Sequence, residues 1–181
     1  MTTHESQFAF DITIPVRIRR LRRDDLRKLE WGDEFIHYRK VFLRNYQEQL
    51  KGNRLLLVAD CNDYPIGRLF MQFKSNGGRL ADGISKGYIY SFQVMALFRG
   101  QGIGSRMLSA AESIFAKHNF ETVTIAVAKD NFGALRLYQR HGYAIFGQHD
   151  GRWQYRDHNN QIQQVDEPSW LMQKELTLML D

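Results

Sequence analysis

Three glycines in five positions, Gly100, Gly102 and Gly104, separate a run of strand character from a long helical pattern. The full stretch is Val94-Met95-Ala96-Leu97-Phe98-Arg99-Gly100-Gln101-Gly102-Ile103-Gly104. Glycine lets backbone N–H groups approach a ligand with no Cβ between them, and a helix N-terminus carries unpaired N–H groups and a partial positive charge. A strand, a glycine-rich turn and a helix in that order therefore predict an anion cradle inside an α/β fold. A P-loop is excluded, because Ser105 and Arg106 follow Gly104 where Lys-Ser/Thr is required. The dinucleotide fingerprint fails as well, since Ser105 stands where its last glycine belongs.

The rest of the chain fits one α/β domain. At 181 residues, 43% hydrophobic and 25% charged, it can bury a substantial core. No stretch approaches 18 consecutive apolar residues. The polar start Met1 to Gln7 lacks the basic and apolar regions of a signal peptide, so a cytoplasmic location is expected. One cysteine, Cys61, and scattered histidines give neither a disulfide framework nor a metal cluster. The net charge of +5 owes much to Arg17, Arg19, Arg20, Arg22, Arg23 and Arg27. Such a run can bind nucleic acid, but Arg17 and Arg19 alternate with Val16 and Ile18 as on a strand's solvent face, and Asp24 and Asp25 break the charge.

Residues 1–11 read as a loose leader before a single domain over 12–181. Periodicity predicts strands at Ile14–Leu21, Arg54–Asp60, Ile66–Phe73, Gly87–Val94, Glu121–Val127, Tyr143–Gly147 and Trp170–Leu178. Helices are expected from Asp24 or Asp25 to Leu29, from Asp33 or Glu34 to Leu50, from Ile103 to about His118 and from Asn131 to His141. Ser75 to Lys86 reads as a mobile glycine-rich loop, and Gly151 to Gln164 as a hairpin or long loop. The expected class is α/β: a central mixed sheet of about seven strands with helices on both faces.

Two motifs carry a family resemblance. Arg99-x-x-Gly102-x-Gly104 resembles the first signature of the GNAT superfamily of N-acetyltransferases, and Val94-x-x-x-Phe98-Arg99-Gly100 before it is similar too. The pattern Asn131-x-x-Ala134-x-x-x-Tyr138-x-x-x-Gly142-Tyr143 resembles the second. The resemblance spans about Ile12 to Leu178. It implies that Arg99, Gly100, Gln101, Gly102, Ile103 and Gly104 hold the pyrophosphate of acetyl-CoA. It further implies that the backbone of Phe92, Gln93 and Val94 pairs with the pantetheine arm, so that side-chain identity at Phe92 and Gln93 says little. Asn131 is then cofactor-binding and Tyr138 the general acid, with no metal involved.

The general base is where the chain departs from the family. Tyr88 and Ala126 stand where many members place a glutamate. Tyr88, Tyr90 or Ser91 acting through water, His37 and Glu34 remain as candidates. For the acceptor, the resemblance places Trp31, Glu34, Tyr38 and Trp153 around the site, and aromatic walls with a carboxylate suit a cationic amine. The implied activity is acetyl transfer from acetyl-CoA to a primary amine of a small molecule or peptide, by direct attack in a ternary complex. Membrane partners are not expected. Homodimers are common in the family, and Trp153 to Trp170 would contribute an edge. A non-catalytic acyl-CoA sensor is the alternative that the missing carboxylates support, and a nucleic-acid-binding domain is the weaker one.

Overall fold

The computed structural model describes residues 13–75 and 77–177. The expected leader, residues 1–11, lies outside them. Nine strands and four α-helices follow in the order β1 (Arg17–Arg20), α1 (Asp25–Lys28), α2 (Arg39–Leu50), β2 (Arg54–Cys61), β3 (Tyr64–Gln72), β4 (Lys86–Val94), α3 (Ile103–Lys117), β5 (Thr122–Ala128), α4 (Phe132–Arg140), β6 (Ala144–His149), β7 (Arg152–Arg156), β8 (Ile162–Asp166) and β9 (Ser169–Glu175). Single 3-10 turns occupy Ile36–Tyr38 and Ala96–Phe98. Seven strands form one mixed sheet in the order β1-β2-β3-β4-β5-β9-β6, and β7 and β8 pair as a separate hairpin. The seven-stranded sheet and the α/β class match the expectation, and the β7–β8 hairpin falls where a hairpin or long loop was expected.

The continuous apolar run of β2 is explained by burial on both faces. Leu56 and Val58 join Leu21, Leu29, Phe42 and Phe70 beneath α1 and α2. Leu57 and Ala59 point the other way, into the larger core under α3. That helix presents Ile103, Met107, Leu108, Ala111 and Phe115 as a buried stripe. Gly87 lies directly below Phe115, and a Cβ there would come within 2.1 Å of the ring, so only glycine lets the helix seat on β4.

Three expectations need correction. The second helix starts at Arg39, because Trp31, Gly32 and Asp33 take positive φ angles of 45°, 67° and 74°, outside the helical region. The first strand is shorter than Ile14–Leu21, and only Arg17–Arg20 pairs with β2. The segment Ser75–Lys86 is pinned among its described residues. Asp82 accepts the backbone N–H groups of Ile84, Ser85 and Lys86, and Ser75 bonds Ala81. The segment then crosses to β5, where Thr124 Oγ1 donates to the Leu80 carbonyl at 2.6 Å.

Candidate active site

The sheet opens in the middle. Strands β4 and β5 run parallel, but they pair only from Lys86 to Ile89 against Thr122 to Ile125. Beyond Ile89 the two strands no longer pair with each other. The cause is local. Arg68 pairs with Gln93 and Phe70 with Tyr90, so two residues of β4 oppose one of β3. Ser91 sits in this bulge at φ 50°. A bulge bends and twists its strand, which carries the end of β4 away from β5. It also resets the side-chain alternation. Tyr88 and Tyr90 stack on one face with ring centroids 5.5 Å apart, while Phe92 joins Ile89 on the other face, in the α3 core. The resulting gap lies at the carboxyl ends of parallel strands, where open α/β sheets bind ligands.

The glycine loop closes the top of this gap. Gly100 and Gly102 both adopt left-handed backbone, at φ 79° and 75°. Gly102 is the residue before α3; no side chain caps that helix and no acidic residue occupies its first turn. The first amides of α3 are therefore free to bind an anion. A Cβ on Gly100 or Gly102 would meet nothing within 4 Å, so both glycines border open space. Gly104 packs close to Phe92 and Leu137, and Arg99 ties the loop to β4 through an Nε bond of 2.9 Å to the Val94 carbonyl.

From the far side α4 delivers Tyr138. Its ring is buried and stacks on Phe92 at 6.3 Å. The hydroxyl makes no hydrogen bond to another described residue. Burial, followed by the nearby Tyr88 phenol, raises its pKa, so it is a proton donor throughout the neutral range. Asn131 caps α4 by accepting the Ala134 N–H at 3.1 Å. Its side-chain oxygen is thus engaged in the helix, and only its amide nitrogen remains free to donate.

The candidate bases are dispersed. Burial pushes Tyr88 up to about 12, far from a working base at neutral pH. Tyr90 donates to Asn45 Oδ1 at 2.6 Å, and burial raises its pKa as well. Ser91 and Glu34 are exposed, and Ala126 carries no ionisable group. His37 lies against Tyr38 at 4.2 Å, in the 3-10 turn before α2.

That turn forms one side of an aromatic wall. Tyr38 stacks on Trp153 at 6.3 Å and lies 4.8 Å from Tyr155, so the β7–β8 hairpin leans onto the α1–α2 connection. Trp31 is a buried support in this arrangement: its Nε1 donates to the Pro65 carbonyl at 2.8 Å. Glu34 stands outside the wall.

Sequence reasoning missed the group at the centre of this region. Arg68 of β3 is 3% exposed, with its guanidinium 4.3 Å from the Phe35 ring, 4.6 Å from Trp31 and 5.1 Å from Phe42. One terminal nitrogen donates to Gln93 Oε1 at 2.6 Å, and Nε is buried without a partner. Burial alone lowers its pKa to about 10, opposed by Glu34 and Tyr38. The signal was present in the sequence: Arg68 is the one charged residue in the run from Ile66 to Met71. The Gln93 side chain, to which the sequence reading gave no part, is the acceptor of that Arg68 bond.

The profile of the Acetyltransferase (GNAT) family matches residues 18–143, and the chain belongs to that family of acyltransferases. No curated protein sequence matches the chain. Among solved structures, it is similar to Ard1 from Thermoplasma volcanium (18% identity, TM-score 0.67, covering 90% of this chain and 98% of that one). It is similar to the ribosomal-protein-S18-alanine N-acetyltransferase from Escherichia coli (15% identity, TM-score 0.67, covering 92% and 97%). Arabidopsis thaliana NAA60 in complex with acetyl-CoA is a third (18% identity, TM-score 0.66, covering 89% and 98%). At these identities the structural matches carry the fold.

Proposed function

We propose that this chain is an N-acetyltransferase that moves the acetyl group of acetyl-CoA to a primary amine. The observation that carries the reading is the opened β4 edge, lying between an uncapped helix N-terminus and a buried tyrosine with a free hydroxyl. These residues fit the cofactor. The free amides of Ile103, Gly104 and the residue after it suit a pyrophosphate, with Gly100 and Gly102 providing close approach and Arg99 and Gln101 completing the loop. The β4 edge over Phe92, Gln93 and Val94, which does not pair with β5, suits an amide-bearing arm that adds as a strand. Acetyl-CoA supplies the activated acyl group as a thioester.

The chain's own residues then do three things. A backbone N–H of the β4 edge donates to the carbonyl oxygen as negative charge develops on it. Tyr138 donates its proton to the departing sulfur. Tyr88 and Tyr90, both protonated at neutral pH, order water on the face from which the amine arrives, and that water carries the amine's proton away. Aromatic residues Tyr38 and Trp153 line the acceptor side, with Glu34 at the rim and Trp31 supporting them. The reaction is placed in the cytoplasm, with a small-molecule or peptide amine as acceptor.

Calorimetric titration with acetyl-CoA, followed by thiol release over a panel of amines, tests this reading. Binding with amine-dependent release of thiol is expected. Absence of binding would sink it. Binding without turnover on any amine would favour the acyl-CoA sensor, for which the lack of a carboxylate at Tyr88 and Ala126 is the specific support.

A further inference from the structure

Arg68 has a cost that the acetyl-transfer reading does not use. A guanidinium removed from water is ordinarily balanced by a carboxylate. Three partly buried cations of this chain follow that rule, whereas Arg54 and Lys129, also half-buried, bond neutral amide oxygens and lie over aromatic rings. Arg19 bonds Asp25 at 2.6 Å and Asp60 at 2.9 Å, Arg39 bonds Glu30 at 2.7 Å, and Lys174 bonds Glu112 at 2.7 Å. Arg68 is enclosed as deeply as any of them, yet no carboxylate of a described residue forms an ion pair with it. Its partners are aromatic faces, the distant Leu29 carbonyl at 3.5 Å and the neutral amide of Gln93.

Its position is also particular. Arg68 pairs in register with Gln93 across β3 and β4, beyond the bulge. Gln93 follows Phe92, which stacks on Tyr138. The guanidinium lies on the α1–α2 face of the sheet, among Trp31, Phe35 and Phe42, and is joined to β4 through the Gln93 side chain. Phe35, which covers it, stacks on Tyr38 of the aromatic wall at 6.4 Å. Glu34 acts on the same charge through space from the rim. The region thus combines a buried cation with an exposed carboxylate, Glu34, that acts on it through space.

We infer that the amine acceptor carries a carboxylate of its own, which takes Arg68 as its counterion while the amine is directed to the β4 edge. Gln93 is the exchangeable partner that yields one guanidinium nitrogen to the incoming anion. Arg68 is accordingly a specificity residue. The acceptor class is an amino acid, or a peptide whose first residue is acidic. This inference rests on the acetyl-transfer reading and names its acceptor.

The test is thiol release from acetyl-CoA with matched pairs. One arm sets leucine, methionine and phenylalanine against their α-amides. A second sets the amides of aspartyl-alanine and glutamyl-alanine against those of asparaginyl-alanine and glutaminyl-alanine. Spermidine and tyramine serve as amines without a carboxylate. We expect the carboxylated member to lead in kcat/KM by at least roughly 30-fold in one arm, as for a buried charge pair that loses a partner. Arg68→Met should erase the preference at unchanged acetyl-CoA affinity. Arg68→Lys, which keeps the charge, should retain part of it and covers the case in which the methionine variant fails to fold. Equal use of both members, turnover of carboxylate-free amines alone, turnover of no carboxylated member, or a preference that survives Arg68→Met would each overturn the inference. Failure to bind acetyl-CoA would instead remove the reading beneath it.

Discussion

Two corners of this molecule handle buried charge in opposite ways. At the β1–α1 corner, Arg19 is held by both oxygens of Asp25 and by Asp60, and Asp25 also accepts the Arg22 N–H at 2.7 Å. Most of the charges there are met within the chain. In the middle of the sheet the opposite holds. The β4 edge past Ile89 is unpaired with β5 and the first turn of α3 is uncapped; among the described residues the Tyr138 hydroxyl has no hydrogen-bond partner and Arg68 no paired carboxylate. The cation–π contacts of Arg68 offset part of its desolvation cost but supply no counter-charge. Under the proposed function the closed corner stabilises the fold and the open centre leaves its groups to a ligand.

The comparison can be broken most forcefully at Asp25. Asp25→Ala should cost about 3 kcal/mol of stability in urea unfolding, because it leaves a buried guanidinium with half its partners. Acetyl transfer by the folded protein should be unchanged. A loss smaller than that of a surface substitution would show that the corner is not the stabilising half. Tyr138→Phe is the converse: kcat should fall roughly 100-fold or more with acetyl-CoA affinity and unfolding midpoint retained. Unimpaired turnover would remove Tyr138 as the proton donor.

Gly151→Ala is a sharper probe of the hairpin. The new Cβ would meet the Glu167 carbonyl at 1.9 Å in a backbone with φ 70°. Displacing the hairpin base should raise the acceptor KM several-fold and leave the acetyl-CoA constant alone. An effect on the cofactor constant only would place the hairpin elsewhere in function.

The smallest effect concerns pH. Burial opposes ionisation of Asp25, but bonds from Arg19 and the Arg22 N–H outweigh it and hold its pKa below the usual value. A depressed carboxylate contributes stability that is present above its unfolded pKa of about 4 and fades as pH falls through the folded value. Wild-type stability should therefore decline below about pH 4 more steeply than that of Asp25→Ala. Parallel profiles in urea unfolding would show that the pair contributes nothing.

The arginine-rich run shows how charge in a sequence differs from charge in a fold. Arg19 pairs with Asp25 and Asp60, Arg20 donates to the Gln49 carbonyl, and Arg27 approaches Glu30 at 3.4 Å. Much of the apparent basic patch is thus engaged locally. Arg68, inconspicuous in composition, is a buried cation that forms no ion pair with a carboxylate of a described residue.

What the sequence determined by itself is whatever depends on neighbours along the chain. The turn Gly100–Gly104, the stripe of α3, the buried run of β2 and the Asn131 cap all follow from local steric and periodic rules. Tertiary structure decided what depends on residues far apart. The bulge at Ser91 exists only as a mismatch with β3, so the gap that makes the site was not readable from β4 alone. The start of α2 moved to Arg39 because the 31–33 turn must seat Trp31 against Pro65. The sequence marks Arg68 only as the lone charge of an apolar run; the three aromatic rings around it come from packing. Charge compensation is a property of packing, and no local pattern encodes it.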